Sequence, residues 1–319
     1  MRRCFIHLGT HKTGTTAIQH LLDRNRFALL QKGYYYPLAG RPERLPGQHN
    51  LAWEISRDRR FRDRYGRIDD LINEVKKRSE DVILSSEDFE CALHNISRFS
   101  DFISVLQSSG FLVIIILYVR NQIDYLARIY LTLLHFGFDS AFHGILSSIL
   151  DKGELCWREW IFNFDYCNLL RRVDEIAGVD RIVRSYERSR TSICGDFLSI
   201  FNLTLRDLQI DDEVFENVSL PLRNYLLMYL QNGLGRRLLE NEERVVYRLV
   251  PPGANKLDLS PRVKMELLRR FSAVNQSMFN QYGIPEPKME NIDGAQNLPE
   301  TPYIDELFSE NTEYKLMIT

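Results

Sequence analysis

The chain has 319 residues, of which 44% are apolar and 11% aromatic, and this is enough to bury the core of one large domain. Its formal net charge of −2 excludes a strong overall electrostatic attraction to nucleic acid or to a membrane surface, because such partners usually require a cationic excess. The charge is unevenly distributed: residues 284–319 contain eight acidic and two basic residues, so the rest of the chain carries a net charge of +4.

The five cysteines do not form a pattern that is typical of a metal site or of a disulfide framework. They are widely spaced, odd in number and include no CxxC pair: Cys4, Cys91, Cys156, Cys167 and Cys194. This spacing predicts free thiols in a reducing compartment and no structural metal. Since the longest apolar run, residues 111–119, is about half as long as a membrane-spanning helix, we expect a cytoplasmic protein without integral membrane association.

The first two thirds of the chain alternate between short apolar runs and helical patterns. Four runs predict strands: residues 3–8, 81–86, 111–119 and 181–184. Apolar residues at helical spacing occur between and after them: residues 15–30, 99–106, a stretch from Gln122, 166–176 and 191–201. Alternation of this kind is typical of an α/β fold with a central parallel sheet flanked by helices.

The pattern becomes wholly helical from Ser219 onward. Long helical stretches are predicted at residues 222–240 and 261–282. The second stretch begins with Ser260 as the N-cap and Pro261 at the first helical position. We expect these helices to pack against the sheet.

The sequence predicts one folded domain followed by a tail. The α/β domain is expected over residues 1–283, with its helical part beginning near residue 217. Residues 284–319 carry prolines and acidic residues without sustained periodicity. This composition predicts an acidic C-terminal extension that is irregular or partly disordered.

The most informative stretch lies where the first predicted strand meets the first predicted helix. It reads Gly9-Thr10-His11-Lys12-Thr13-Gly14-Thr15-Thr16. Backbone N–H groups at a helix N-terminus have no partner within the helix and lie at the positive end of its dipole, so they bind anions. Lys12 adds a positive charge, and the hydroxyl groups of Thr13, Thr15 and Thr16 add hydrogen-bond donors. The loop therefore predicts a phosphate-binding site.

The residue order of this loop differs from that of the nucleotide-triphosphate P-loop. Gly9 and Gly14 have the G-x4-G spacing, but Thr15 follows Gly14 where that motif has lysine, and Lys12 stands two positions before Gly14. The order His-Lys-Thr-Gly-Thr-Thr after a strand resembles the P-loop-like 5′-phosphosulfate loop of the sulfotransferases that use 3′-phosphoadenosine 5′-phosphosulfate, particularly the bacterial branch. The resemblance implies that this co-substrate is bound by Thr10, His11, Lys12, Thr13, Gly14, Thr15 and Thr16.

A second motif of that family holds the 3′-phosphate with an arginine at the end of a later strand and a serine about eight residues further on. Arg120 directly follows the apolar run 111–119 and matches the arginine. A residue at this position emerges at the carboxyl edge of the sheet, where ligands of α/β folds bind. The serine position holds Arg128, which departs from the family. Arg128 either binds the phosphate through its guanidinium group or pairs with Asp124 on the helix surface.

The resemblance implies sulfuryl transfer to an acceptor hydroxyl or amine. Lys12 is expected to neutralise the charge that develops on the leaving phosphate. The base that removes the acceptor's proton is either Glu87, just after the second predicted strand, or His49, and the sequence does not choose between them. His11 is expected to shape the loop, and His7 is expected to pack within its strand.

The acceptor pocket has no readable motif, and the resemblance implies a small molecule, a glycan or a lipid-linked glycan, with no nucleic-acid partner and no metal. An aromatic cluster is interpreted as core packing, with an acceptor wall as the alternative. Its members are Trp157, Trp160, Phe162, Phe164 and Tyr166. Outside the two phosphate motifs the resemblance is loose and covers roughly the first two hundred residues.

Two other functions compete with this interpretation. A P-loop kinase or nucleotide hydrolase shares the strand, loop and helix, but it needs magnesium ligands, for which only Glu87 and Asp88 are suitably placed. A nucleotide-binding module without catalysis is consistent with the missing serine. Variants of Glu87 and His49 discriminate between catalysis and binding alone.

Overall fold

The computed structural model describes residues 1–210, 220–250, 258–286 and 303–309 of the chain. These residues form two compact units. The first contains residues 1–120, 156–210 and 277–285. The second contains residues 121–155, 220–250, 258–276, 286 and 303–309. The predicted single domain over residues 1–283 stays a prediction.

The strands confirm the predicted α/β fold with a central parallel sheet. They are β1 (Arg2–His7), β2 (Tyr34–Tyr35), β3 (Asp81–Ser85), β4 (Phe111–Val119), β5 (Glu154–Trp157), β6 (Trp160–Asn163) and β7 (Val179–Ser185). The sheet has the order β2-β3-β1-β4-β7, and every neighbouring pair is parallel. Strands β5 and β6 form a separate two-stranded sheet. In a parallel sheet the loops that follow all strands meet at one edge, which gathers the residues after β1, β3 and β4.

Helices of the first unit flank the sheet, as predicted, and helices also form much of the second unit. In chain order they are α1 (Thr15–Arg24), α2 (Arg26–Gln31), α3 (His49–Ser56), α4 (Ile68–Val75), α5 (Asp88–Ala92), α6 (Ile96–Ser108), α7 (Gln122–His135), α8 (Phe142–Lys152), α9 (Tyr166–Asp174), α10 (Tyr186–Ser189), α11 (Ile193–Ser199), α12 (Leu222–Leu234), α13 (Glu240–Leu249), α14 (Pro261–Tyr282) and α15 (Ile304–Leu307). Short 3₁₀ helices occur at Asp63–Tyr65 and Leu205–Leu208. No helix among the described residues is long and apolar enough to cross a membrane.

The core on one face of the sheet holds α1 in place. Ile18 and Leu22 of α1 are fully buried in a cluster with Phe5 of β1 and Phe197 of α11. Burying an aliphatic side chain of this size contributes about 1.5–3 kcal/mol. The apolar stripe of α1 therefore fixes the helix against β1, and with it the loop that connects them.

The structure breaks two of the predicted helices. The helical pattern at residues 15–30 is divided at Asn25, whose side-chain amide donates to the carbonyl of Leu21 at 2.8 Å and so ends α1. The predicted stretch at residues 222–240 ends at Leu234, because Gly235 adopts a left-handed φ of 63°. Both breaks arise from side-chain and backbone geometry that apolar periodicity does not report.

The second unit contains helices packed through aromatic rings. Tyr130 of α7 meets the rings of Phe142 and Phe308 edge-on, at centroid distances of 5.1 and 5.2 Å. At the start of α14, the Val263 N–H donates to the hydroxyl of Ser260 at 3.4 Å, which agrees with the predicted N-cap.

Most of the predicted irregular tail, residues 284–319, lies outside the described residues. The part that is described contains α15, which the sequence did not predict. Asp305 of α15 accepts hydrogen bonds from the N–H and the hydroxyl of Ser260 at 2.7 and 2.6 Å. Residues 303–309 are thus joined to the start of α14.

Candidate functional site

The loop between β1 and α1 is a tight turn with three residues in the left-handed region. Gly9, Lys12 and Gly14 have φ values of 45°, 62° and 83°. A Cβ atom on Gly14 would lie 2.9 Å from Cγ1 of Ile193, and one on Gly9 would lie 2.4 Å from Cγ2 of Thr15. Both glycines are therefore required by conformation and by close packing.

Buried hydrogen bonds hold the loop against the end of β4. The N–H and the hydroxyl of Thr10 both donate to the carbonyl of Tyr118, at 3.4 and 3.0 Å. The hydroxyl of Thr13 donates to the carbonyl of Thr10 at 2.5 Å, and the Thr10 and Thr13 residues are 0% exposed. Thr13, whose hydroxyl the sequence analysis assigned to the ligand, thus stabilises the loop itself.

The outer side of the loop carries the features of an anion site. The first N–H groups of α1, at and after Thr15, have no carbonyl partner within the helix and lie at the positive end of its dipole. Lys12 and Thr16 are exposed at this end, whereas Thr15 is buried. Positive potential and hydrogen-bond donors therefore coincide at the carboxyl edge of the sheet.

Arg120 lies directly against this loop. One guanidinium NH₂ group, Nη1, donates to the carbonyl of Lys12 at 2.7 Å, and Cζ lies 4.6 Å from the ring centroid of Tyr186. The hydroxyl of Tyr166 donates to the Arg120 carbonyl at 2.5 Å. The Nε atom of Arg120 is buried and has no hydrogen-bond partner among the described residues. The structure thus brings Arg120 and the loop together.

Arg128, the other predicted phosphate contact, belongs to the second unit. It lies on α7, where its carbonyl accepts a hydrogen bond from the Thr132 hydroxyl at 2.8 Å. Its contact with the 3′-phosphate of the co-substrate and its alternative pairing with Asp124 both stay predictions.

His49 is held by a buried carboxylate. Its Nδ1 atom lies 3.1 Å from Oδ2 of Asp88 and 2.9 Å from the hydroxyl of Ser86. Asp88 also accepts hydrogen bonds from the indole of Trp53 at 2.9 Å and from Arg60 at 3.1 Å. A carboxylate on Nδ1 selects the tautomer that carries the proton there, so Nε2 is the basic nitrogen. Nε2 makes no hydrogen bond within the described part of the chain.

The charges around His49 shift its ionisation. Burial lowers the pKa of His49, but the nearby carboxylates of Glu87 and Asp88 raise it further than burial lowers it, so the net shift is upward. The pKa of Asp88 is strongly lowered: burial opposes ionisation, and the hydrogen bond and charge of His49 together with Arg60 outweigh it. Asp88 is therefore an anion at all physiological pH values.

Glu87, the other predicted base, contacts α1. Its Oε2 atom accepts a hydrogen bond from the side-chain amide of Gln19 at 2.7 Å. Glu87 precedes α5 at its N-cap position, and its charge raises the pKa of both His49 and His11. The structure thus brings both predicted bases to the same neighbourhood.

Glu90 connects the loop to the β5–β6 hairpin. It is 0% exposed and accepts from the N–H and Nδ1 of His11 at 3.3 and 3.0 Å. It also accepts from the N–H and side-chain amide of Asn163 at 2.8 and 2.9 Å. Burial lowers the pKa of His11, but the hydrogen bond and charge of Glu90 reverse this, and the net shift is upward. Glu90 thus fixes the position of His11 in the loop, and binding of the co-substrate by His11 stays a prediction.

His7 and the aromatic cluster separate into buried and half-buried groups. His7 is 0% exposed, burial lowers its pKa to about 4, and its Nδ1 atom lies 2.8 Å from the Ser85 hydroxyl, as expected for a packing residue. Three predicted cluster members are core residues: Phe162, Phe164 and Tyr166. Trp157 and Trp160 keep partial exposure. The core interpretation thus fits three of the five aromatic residues.

Sequence reasoning missed the roles of Asp88 and Glu90. The available signal was the run Glu87 to Glu90, which places three carboxylates within four residues directly after a buried strand. Carboxylates in such a position emerge at the ligand-binding edge of a parallel sheet. Their burial depends on partners that are distant in sequence, and the run alone does not identify those partners.

Comparisons with protein-family models, with curated proteins and with solved structures found no match to the chain.

Proposed function

We propose that the protein transfers a sulfuryl group from 3′-phosphoadenosine 5′-phosphosulfate to an acceptor hydroxyl or amine. The observation that carries the proposal is the contact between Arg120 and the carbonyl of Lys12, because it joins the two phosphate motifs of the sequence at one edge of the sheet. A donor with phosphate groups at both its 3′ and 5′ positions requires two cationic groups in such an arrangement.

In the proposed site the 5′-phosphosulfate lies on the N–H groups that begin α1. Lys12 neutralises the bridging oxygen as the bond from sulfur to that oxygen breaks. Arg120 binds the 3′-phosphate through the guanidinium N–H groups that the Lys12 carbonyl does not occupy. The arginine needs little reorganisation for this, because Lys12 and Tyr186 already hold its guanidinium.

His49 is proposed as the general base, in preference to Glu87. The geometry that favours it is the Asp88 carboxylate on Nδ1, which orients the imidazole and stabilises its protonated form. Nε2 removes the proton of the acceptor as the acceptor oxygen bonds to sulfur, and adenosine 3′,5′-bisphosphate leaves with the former bridging oxygen. Glu87 stabilises the imidazolium by charge at a distance.

Calorimetric titration tests the donor site without knowledge of the acceptor. Adenosine 3′,5′-bisphosphate is titrated into the wild-type protein, Lys12→Ala and Arg120→Ala, and ATP with magnesium is the comparison ligand. We expect tight bisphosphate binding by the wild type, weakened at least about tenfold in each variant, which corresponds to about 1.4 kcal/mol. ATP with magnesium should bind weakly.

A matched control separates the loss of positive charge in the loop from the general effect of removing an exposed lysine. Lys77→Ala removes an exposed lysine near the opposite end of β3 and should bind the bisphosphate like the wild type. A preference for ATP with magnesium would overturn the sulfotransferase proposal in favour of a kinase or hydrolase. Tight bisphosphate binding with no transfer to any acceptor hydroxyl or amine would favour the non-catalytic module.

A further inference from the structure

The tip of the β5–β6 hairpin presents two indole rings and an arginine. The rings of Trp157 and Trp160 lie 5.5 Å apart at an interplanar angle of 33°, and both residues are partly exposed. Arg158 is exposed at the turn with a left-handed φ of 52°, and its Cζ lies 4.2 Å from the ring centroid of Trp157. Flat rings next to a guanidinium group are typical of surfaces that bind planar or ring-shaped anionic ligands.

An arginine-rich segment lies next to this hairpin tip. Residues 57–67 contain six arginines and two aspartates, a local net charge of +4 in a chain of net charge −2. Arg59 of this segment forms an ion pair with Glu159 of the hairpin turn. The Cζ atom of Arg60 lies 5.5 Å from the ring of Trp160. The segment and the hairpin tip therefore form one continuous patch, which we call the Trp–Arg surface.

Several arginines of the Trp–Arg surface have their charge uncompensated. Three are exposed and have no acidic partner within the described ranges of the chain: Arg57, Arg62 and Arg158. By contrast, the guanidinium of Arg60 is bound by Asp58 and Asp88. The patch thus keeps a net positive charge.

Trp160 connects this surface to both halves of the candidate site. On one side, the Trp160 ring lies 6.4 Å from that of Phe162, which lies 4.8 Å from the ring of His11 in the loop. On the other side, Arg60 binds Asp88, the carboxylate that holds His49. Trp160 is therefore linked to the loop between β1 and α1 (the donor loop) through Phe162, and to the proposed base through Arg60 and Asp88.

We infer that the Trp–Arg surface binds the acceptor and that the acceptor is an acidic polysaccharide, with sugar rings on the tryptophans and carboxylate or sulfate groups on the arginines. This inference rests on the proposed function. Sugar rings present apolar faces that pack on indole, and arginine binds carboxylate and sulfate through paired donors. Sugars also supply the hydroxyl that the proposed base at His49 requires. Nucleic acid offers phosphates and rings as well, and it is therefore the competing outcome of the test.

Binding of a defined oligosaccharide tests the inference. The probe is a uronic-acid tetrasaccharide, and its matched control is the same tetrasaccharide with every carboxylate reduced to an alcohol. Binding to the protein saturated with adenosine 3′,5′-bisphosphate is followed by calorimetry at two salt concentrations. We expect the charged probe to bind, its affinity to fall with added salt, and the reduced probe to bind about tenfold or more weakly.

Variants assign the binding to the Trp–Arg surface. Trp160→Ala should weaken binding about tenfold, and Trp160→Phe, which keeps a flat ring, should recover most of it. Arg158→Ala should weaken it about threefold. The control is Arg78→Ala. Arg78 is also exposed, and its Cζ atom lies 4.4 Å from the ring centroid of Tyr35. It differs in position, because it precedes β3 and so lies near the end of that strand opposite the candidate site. Arg78→Ala should bind like the wild type.

Three results would overturn the inference. They are equal binding of the charged and reduced probes, equal effects of Arg158→Ala and Arg78→Ala, and tighter binding of a single-stranded oligonucleotide of the same charge. If the bisphosphate binds but no oligosaccharide does, the acceptor class is wrong while the proposed donor site stands. If the bisphosphate itself fails to bind, the proposed function fails, and the oligosaccharide titration then reports only on the surface.

Discussion

The donor loop and the cluster around His49 lie at the same edge of the sheet but are built in different ways. The loop is a contiguous segment whose binding groups are mainly backbone N–H groups, set by the glycines at positions 9 and 14. The cluster combines side chains from three distant segments, with Asp88 holding His49 and bound by Arg60. In the proposed function the loop binds by fixed backbone geometry, whereas the cluster works through the charge balance of buried groups.

The sharpest way to separate the two regions is to remove the base and leave the loop intact. His49→Asn keeps an amide donor for Asp88 and deletes the Nε2 position. We expect the turnover number to fall by about 10²–10⁴-fold, because a general base contributes on that order. Donor affinity, measured by calorimetry with adenosine 3′,5′-bisphosphate, should not change.

Glu87→Gln is the control for that assignment. It retains an oxygen for the hydrogen bond from Gln19 and removes only the charge. Turnover by Glu87→Gln should fall far less than turnover by His49→Asn. The reverse order of effects would make Glu87 the base.

The complementary experiment breaks the loop and leaves the cluster intact. Gly14→Ala introduces a Cβ at a left-handed φ of 83° and against Ile193. We expect a loss of about 2 kcal/mol in the free energy of unfolding, from backbone strain and overpacking together, and a loss of donor binding. Chemical denaturation and calorimetry measure the two effects.

Gly33→Ala supplies the matched control for the loop variant. Gly33 has a φ of 88°, but a Cβ there meets nothing within 4 Å. Its cost should be about 1 kcal/mol, from backbone strain alone. Equal destabilisation by the two variants would contradict the close packing of Gly14 on Ile193.

The pH dependence of turnover reports on the cluster alone. The pKa of His49 is shifted upward. As the pH falls, the base therefore becomes protonated at a pH above the ordinary imidazole value of about 6.5. Turnover should therefore fall towards acidic pH with an apparent pKa above that value. The affinity for the bisphosphate, measured over the same pH range, should not follow the pH dependence of turnover. An acid limb at or below the ordinary imidazole value would contradict His49 as the base.

The smallest expected effect concerns Arg60, whose charge lowers the pKa of His49. Arg60→Gln should raise that pKa, so the acid limb of turnover moves to higher pH. Histidine NMR titration of the protein without ligands measures the same shift independently of activity. Arg59→Gln is the neighbouring control, since Arg59 is 73% exposed and pairs with Glu159 rather than with Asp88. An equal shift in both variants would show that long-range charge alone is responsible.

The sequence predicts the fold well because apolar runs and helical spacing are local signals. The run at Phe111–Val119 is bounded as the structure has it, and the α/β alternation is confirmed. The break at Asn25, the hairpin at residues 154–163 and the short strand Tyr34–Tyr35 were not predicted. These features depend on single hydrogen bonds or on pairing with distant residues, and periodicity does not carry that information.

The sequence likewise predicts some features of the candidate site and not others. The sequence predicts that the loop and Arg120 lie close together, because parallel strands end at one edge of the sheet. The structure brings them into contact. The proposal of His49 rather than Glu87 as the base did not follow from the sequence, because it depends on Asp88, which lies 39 positions from His49. The use of the Thr10 and Thr13 hydroxyls within the loop also did not follow, since a threonine's partner is not visible in its spacing.

The fully buried Glu90 has a mechanical consequence for how the two proposed substrates would meet. One of its carboxylate oxygens is hydrogen-bonded to His11 in the donor loop, and the other accepts a hydrogen bond from Asn163 in the hairpin that carries Trp160. If either segment moved away alone, a buried negative charge would lose partners, at a cost of about 3–5 kcal/mol. Hydrogen bonds to Glu90 and the ring contact between His11 and Phe162 therefore hold the donor loop and the hairpin together, and in the proposed function their alignment does not depend on a ligand.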